Sequence, residues 1–459
     1  MMVLLATASF AVILMWSIFE GSASASSKEE SPAPASVDEV VTAMENLSEK
    51  KEKLPLFGER LKEKVKDLPP FFRDMSFAIK PRTYFFYESK PNSNPPPEKT
   101  ISEAWALGGS LAYESGLWLD RFAVGAELFT SQRLYGPEDR DGTKLLAPGQ
   151  QGYTVVGQLY GKLKLFDDHS VSVYRQEYDL PYVNKNDSRM TPNTFEGYTL
   201  YGSFGSKEKG PELRYGGGYI PRIKPQNSDR FEPMSVAAGA SVERGTTLAG
   251  ALFSLKDFSI GAINYFTPDI INIFYSEAKY LWHPVKDRGA HFAVQYTSQR
   301  SVGENLLTGS SFNVYTLGGK IEMSYGGAVL STAFTSTSKG AAMLSPWGEY
   351  PGYTKMMISD FDRAGEDAFS VCLSYDFKRV GLEGLSGYAR YAWGRNSIDP
   401  SNGSPLPNKE EFDVTVDYRI NKGPLRNLWV RLRDGLLWQQ GTGKTHNFRA
   451  ILNYDVILF

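Results

Sequence analysis

The chain has 459 residues, with 50 Lys and Arg against 52 Asp and Glu and a formal net charge of -2. So close a balance excludes a strongly basic nucleic-acid binder and a polyacidic tail protein. A lone cysteine, Cys372, excludes an intramolecular disulfide and a Cys-rich zinc site. The four histidines (His169, His283, His291, His446) lie too far apart for a local ligand pair. No metal site and no cofactor are expected.

Met1 to Phe19 is almost wholly apolar and runs into small residues with an Ala23-Ser24-Ala25 cleavage pattern, so residues 1–25 read as a secretory signal peptide. No Lys or Arg precedes the apolar run, which leaves an uncleaved anchor as the alternative. Residues 26–35 are a Ser/Glu/Pro/Ala linker. Ser36-Val-Asp-Glu39 is a capping box, and Val37, Val40, Val41, Met44 and Leu47 follow at helical spacing. Residues 36–70 therefore read as a charged amphipathic helical arm on the periplasmic rim, with a trimerisation helix or a plug as alternatives.

From Ser76 to Phe459 the period becomes two. Tyr315, Leu317, Ile321, Met323 and Tyr325 alternate with Thr316, Gly318, Lys320, Glu322 and Ser324. Phe369, Val371, Leu373, Tyr375 and Phe377 alternate with Ser370, Cys372, Ser374, Asp376 and Lys378. Val155, Leu159, Leu163 and Leu165 are set against Val156, Gln158, Tyr160, Lys162 and Lys164. Segments of about ten residues suit a tilted membrane crossing better than a soluble strand. Mid-segment Lys and Arg on the polar parity suit a wet lumen rather than a packed core. Aromatics at Tyr84-Phe-Phe-Tyr87, Tyr280-Leu-Trp282 and Trp429 are expected in the interfacial girdles. The fold class is all-β: a transmembrane antiparallel β-barrel with a short N-terminal helical arm.

Strands are expected to begin near Ser76, Ile101, Arg121, Tyr153, His169, Phe195, Glu212, Thr246, Phe258, Ile270, Gly289, Ser310, Gly326, Glu366, Gly384, Glu410, Leu428 and His446, eighteen in all. Ser235 to Val242 is either a strand or a loop. Tight turns at Asp167-Asp168 and Gly423-Pro424 alternate with long connections at 135–152, 180–194, 338–365 and 396–409, the rhythm of periplasmic turns and outer loops. Phe459 falls on the polar parity of the last strand, which suggests a bulge or an atypical signal to the barrel-assembly machinery.

Four passages give the chain a family likeness: Arg82-Thr-Tyr-Phe-Phe-Tyr-Glu88; Leu134-Tyr-Gly-Pro-Glu-Asp-Arg-Asp-Gly-Thr143 with Pro148-Gly-Gln-Gln-Gly-Tyr153; Leu180-Pro-Tyr-Val-Asn-Lys-Asn-Asp-Ser-Arg-Met-Thr-Pro-Asn-Thr-Phe-Glu-Gly197; and Phe231-Glu-Pro-Met-Ser-Val-Ala-Ala-Gly239. In these the chain resembles the OprD family of substrate-selective outer-membrane porins of Gram-negative bacteria. The resemblance implies an outer-membrane channel embedded in lipid, monomeric or loosely trimeric, with an inward-folded third loop and a basic ladder that guides small carboxylate-bearing solutes. It places Tyr182, Asn184, Asp187 and Arg189 at the constriction, and leaves open whether Asp187 and Arg189 contact solute or pair to brace the loop.

Parity independently nominates Arg82, Lys162, Lys164, Arg214, Lys320, Arg390, Arg431, Arg433 and Arg449 as inward cations. The competing reading pairs such cations with Asp413, Asp417 and Asp455 on the wall. Asp139-Arg-Asp-Gly142 has the opening spacing of a calcium loop but lacks its later ligands, and Asp-Gly is also a turn signal. His291 is inward but has no nucleophile in its vicinity, so no enzyme is expected. A less selective channel for neutral or cationic solutes, and a sealed structural or adhesive barrel, are the rival functions.

Overall fold

The computed structural model describes residues 64–90, 100–206, 210–285, 288–423, 425–441 and 443–457. The signal peptide, the linker, most of the 36–70 arm and Phe459 lie outside the described residues. Of the arm's end, Pro70–Arg73 forms one helical turn, α1, which opens with proline where an N–H would have no partner.

Eighteen long strands follow. The first six are β1 (Ser76–Ser89), β2 (Ile101–Glu114), β3 (Phe122–Tyr135), β4 (Tyr153–Phe166), β5 (His169–Gln176) and β6 (Thr194–Gly205). Next come β7 (Glu212–Lys224), β8 (Thr246–Leu255), β9 (Phe258–Thr267), β10 (Ile271–Val285), β11 (Arg288–Arg300) and β12 (Asn313–Tyr325). The last are β13 (Ala328–Thr337), β14 (Asp367–Asp376), β15 (Leu385–Arg395), β16 (Lys409–Arg419), β17 (Leu428–Gln439) and β18 (Lys444–Tyr454). Each pairs antiparallel with its neighbours in sequence, and β18 returns to β1 from Arg82↔Asn453 to Ser89↔His446. The sheet is a closed barrel, so no edge is left open to lipid. Ser235–Val242 belongs to a loop and carries a one-turn helix, α2 (Met234–Ala237). No described helix is long and apolar enough to cross a membrane.

Alternation decides the two faces. Leu107, Leu159, Leu163, Val294, Leu317, Ile321, Met323 and Leu432 are exposed on the outside, with Tyr280 and Trp282 near a strand end as a girdle requires. Glu127, Gln295, Lys320, Glu322, Ser370, Cys372, Ser374 and Asp417 are covered on the inside. Two aromatic assignments differ. Tyr84 and Phe86 point inward, buried with Leu145, Leu146 and Met190, because four consecutive strand residues cannot all face lipid. Trp429 also turns inward, where it donates to Asp417 (3.2 Å).

The parity of β4 is interrupted. Glu127 pairs with Gln158 and Leu128 with Val156, which leaves Gly157 as an extra residue. Beyond this bulge Val155 is buried against Phe129 and Tyr153 while Val156 faces out, the reverse of simple alternation. The bulge needs glycine, because a Cβ at Gly157 would lie 2.2 Å from the Phe129 ring. At the other end of the chain, pairing with β1 breaks at Asp455 and resumes at Val456–Ile457 without a register shift. The bulge suggested by the position of Phe459 is therefore not present through Ile457.

Connections after even-numbered strands are mostly tight, while those after odd-numbered strands carry the long loops. We number the odd-strand loops L1 to L9; L2 is 136–152, L3 177–193, L4 225–245 and L7 338–366. Replacing Gly157 by Val should cost about 1–3 kcal/mol through overpacking against Phe129, read as a lower denaturant midpoint for the folded barrel in detergent, whereas Leu159→Val on the lipid face should shift it far less.

Candidate functional site

L3 and L7 enter the barrel and meet inside it. β5 is short because its chain leaves the wall early, and L3 then packs Tyr182 and Val183 with Trp347, Met343 and Tyr350 of L7. Beneath them lie apolar side chains of the β7–β12 arc, among them Ile220, Tyr265, Ile273 and Val314. Val183 forms a parallel bridge with Trp347. Asn184 closes the junction: its Nδ2 donates to Glu349 O (3.1 Å) and its Oδ1 accepts from Glu349 N (2.8 Å).

The opposite arc, β14 to β1, is charged, and much of that charge seats the loops. Arg82 grips Asp187 of L3 through two bonds (2.6 and 2.9 Å), donates to Arg189 O (2.7 Å) and is held by Asn453 (2.6 Å). Arg189 donates to Thr143 O of L2 (2.8 Å) and lies over Phe86 (4.9 Å). Three successive amides of L7 donate into the wall: Met357 to Asp413 (2.8 Å), and Ile358 and Ser359 to Glu411 (2.6 and 2.9 Å). Arg390 donates to Tyr353 O, and Lys409 to Ser359 Oγ (2.6 Å). Amides converging on a carboxylate are strong charge-assisted bonds, so wall acids hold L7 as a wall arginine holds L3.

The nine cations nominated by parity fall into different settings. Arg390, Arg431, Arg433, Arg449 and Arg82 come from β15, β17, β18 and β1 and share one arc. Lys162 and Lys164 are exposed towards the end of β4, where Lys164 reaches Asp167 (3.5 Å). Arg214, on β7, lies 3.4 Å from Glu212. Lys320, on β12, faces Glu322 (3.6 Å) and the ring of Tyr353. Within the shared arc, Arg431 is buried in a two-bond pair with Asp417 (2.7 and 3.1 Å). Arg433 stands directly opposite Arg449 across β17–β18. Arg433 donates to Thr415 Oγ1 (3.3 Å) and Tyr388 OH (3.2 Å), and Arg449 to Asn447 Oδ1 (2.8 Å) and Met357 O (3.0 Å). Among the described residues the hydrogen bonds of these two guanidiniums go only to neutral groups. Their charge reaches L3: burial, then Arg449 and Arg433, lower Arg189 to about 10.

The four loop residues taken as constriction candidates part in the same way. Tyr182 is fully covered, packed edge-on against Tyr265 and Tyr275, and Asn184 is buried in the junction. Asp187 is exposed and Arg189 partly so. They brace L3 through Arg82 and L2 rather than by pairing with each other. Alternation along single strands did not reveal Glu349, Lys355 and Asp360, which lie in L7 with Lys355 2.5 Å from Glu349 and 3.8 Å from Asp360. Asp141 spends both carboxylate oxygens on the amides of Gly142 and Gly149, which makes its motif a loop staple. His291 pairs with Glu322 (2.7 Å), and among the described residues no cluster of three metal-ligand side chains occurs.

A closed eighteen-strand barrel with loops seated inside it has counterparts. The family model described as outer membrane porin, OprD family, matches residues 69–458. The chain belongs to the OprD family. Among solved structures, OccK9 (OpdG) of Pseudomonas aeruginosa is 25% identical with a TM-score of 0.76, over 85% of this chain and all of that one. A BenF-like porin of Pseudomonas fluorescens Pf-5 is 19% identical (TM-score 0.75), and Pseudomonas aeruginosa OpdK, solved with vanillate, is 20% identical (TM-score 0.72). Each of these two alignments spans 84% of this chain and 100% of the other. No curated protein matches the sequence. This OprD-family chain is an outer-membrane porin of a Gram-negative bacterium, and members of the family are channels rather than enzymes.

L7 of this porin also carries a titration. Burial, then the charge of Asp360, pushes Asp362 up to about 7 against the pull of Lys409. A carboxyl raised in the folded state favours the native loop while protonated in both states. That contribution is lost as pH rises from its ordinary 3.8 through about 7. Current noise from L7 motion in single channels should therefore grow as pH rises from about 4 to 7 and level off above that, and Asp362→Asn should flatten the rise.

Proposed function

We propose that this porin is a passive, selective channel for small carboxylate-bearing solutes such as amino acids and small organic acids, narrowed by L3 and L7. The observation that carries the reading is the opposed pair Arg433 and Arg449, bound to neutral partners and adjoined by Arg189. A guanidinium hydrogen-bonded only to neutral partners keeps more of its attraction for an anion than one held in an ion pair, and its fork accepts a carboxylate in two bonds. Low-dielectric walls on either side strengthen that attraction. Arg390 and Arg82 extend the basic surface along the same arc. That OpdK was solved with vanillate, itself a small carboxylate, adds support from within the family. Flux needs no cofactor and follows the concentration gradient.

A second reading, a channel for cationic or neutral solutes, draws on the exposed Glu349 and the half-buried Asp360 of L7. Single-channel recording in a planar bilayer, titrated with vanillate, benzoate and free arginine, separates the two. Arg433→Ala with Arg449→Ala should weaken carboxylate block at least about ten-fold. Arg431→Ala combined with Asp417→Ala should leave block within about two-fold, because the two buried side chains already neutralise each other and neither is left unpaired. Carboxylate block unchanged in the Arg433/Arg449 variant would remove the proposed selectivity and leave the channel.

A further inference from the structure

Three adjacent strands set Arg433, Arg449 and Phe86 in one row across the lumen face. β17 and β18 pair Arg433 with Arg449, and β18 and β1 pair Arg449 with Phe86. The ring of Phe86 carries two cations. The guanidinium carbon of Arg449 lies 5.0 Å from its centroid, and that of Arg189, from L3, lies 4.9 Å from it. Phe86 is 2% exposed and is held by Ala104 of β2 and by Leu145 and Leu146 of L2, which fixes the ring in place. L3 is pinned at the same point, where Tyr84 OH donates to Ser188 O (3.1 Å), next to Arg189. Arg189 resembles the wall pair in its neighbours. It donates to Thr143 O, Ser188 O and Ser188 Oγ, so its hydrogen bonds among the described residues go only to neutral groups.

We propose that Phe86 is the positioning residue of the anion site: its ring joins a loop cation, Arg189, to the wall pair Arg433 and Arg449, so that three guanidiniums act together on a solute carboxylate. The inference deepens the carboxylate reading above and rests on it. Like charges gathered without counter-ions repel one another, and the repulsion grows where water is scarce. An aromatic ring opposes that drift, because the negative face of its quadrupole attracts a cation. It has no net charge, so it holds the arginines without cancelling them. A carboxylate in its place would hold and neutralise them together, as Asp417 does for Arg431. Phe86 is covered and acts through the arginines rather than on the solute. Arg433 and Arg189 are half-buried, while Arg449 is covered and adds its charge to theirs. The site is thereby built from wall and loop at once, and an L3 that left Phe86 would take one of the three charges with it.

The test uses the refolded full-length protein in planar bilayers, with benzoate as the anionic probe and benzamide as its neutral counterpart. Mono-, di- and trifluorophenylalanine in place of Phe86 keep nearly the shape of the ring while withdrawing electrons from its face. The half-blocking concentration of benzoate should rise stepwise along that series, by about three- to ten-fold at trifluorophenylalanine, the scale of a cation–π contact in a half-wetted site. Benzamide block should stay constant. Arg189→Gln alone should raise the benzoate value by a similar factor, and no rise there overturns the joining of loop and wall. With Arg189→Gln and Arg449→Gln combined, the fluorinated series should become flat. A flat series in the parent protein overturns the proposal. So does an equal rise for benzamide, which would report a changed aperture, or a rise that persists without Arg189 and Arg449. If the Arg433/Arg449 variant weakens benzoate block while the fluorinated series is flat, the carboxylate reading stands and only the role of Phe86 falls. If neither changes block, both fall.

Discussion

In hydrocarbon a backbone N–H or C=O has no water to fall back on, and each one left without a partner costs several kcal/mol. Eighteen strands answer that demand only when the last pairs with the first, and here β18 does so from His446 to Asn453. Closure also settles a second matter. Once the sheet has an inside, alternation sends one parity of every strand to lipid and the other to a shared aqueous lumen. Residues that would be ruinous in a packed soluble core, such as Lys320, Glu322, Arg431 and Asp417, become affordable because water and opposite charges are within reach.

The wet wall then acts as a docking surface for the loops. On the β7–β12 arc an apolar patch that includes Ile220, Tyr265, Ile273 and Val314 faces inward, and L3 and L7 bury Tyr182, Trp347 and Tyr350 against it. On the β14–β1 arc the loops are met by charge instead, with Arg82 taking Asp187 and Glu411 and Asp413 taking three L7 amides. The apolar side supplies most of the free energy of seating, since burial is non-directional and large. The charged side supplies direction, because a carboxylate accepting two amides fixes a backbone position that packing alone would leave loose.

This division explains how much could be read from the sequence. All eighteen strands start within three residues of the positions that period and turn residues suggested, because those signals are local. The lipid and lumen faces follow from the same local rule. It failed at Gly157, where one extra residue reverses the faces of Val155 and Val156; at Tyr84 and Phe86 alternation pointed in, and the error was to follow hydrophobic character to the lipid girdle. The settings of Tyr182 and Asn184 were beyond any local rule. Both are decided by contacts with β9, β10 and L7, from 83 to 165 residues away for the hydrogen bonds of Tyr182 and Asn184.

Arg431 and Arg433 carry the point furthest. They are two residues apart on one strand, share a face and are chemically identical, so the sequence assigns them one role. The register of β16 against β17 separates them: Asp417 lies opposite Arg431, and Thr415 lies opposite Arg433. One guanidinium is thereby neutralised and becomes part of the wall, while the other keeps a hydroxyl for a neighbour and its charge for the lumen. A parity rule can say that a cation faces the pore. Whether that cation acts on a solute depends on the residue that the neighbouring strand sets across from it, which is why selectivity in such a barrel can change through substitutions at positions like Thr415 that never carry charge themselves.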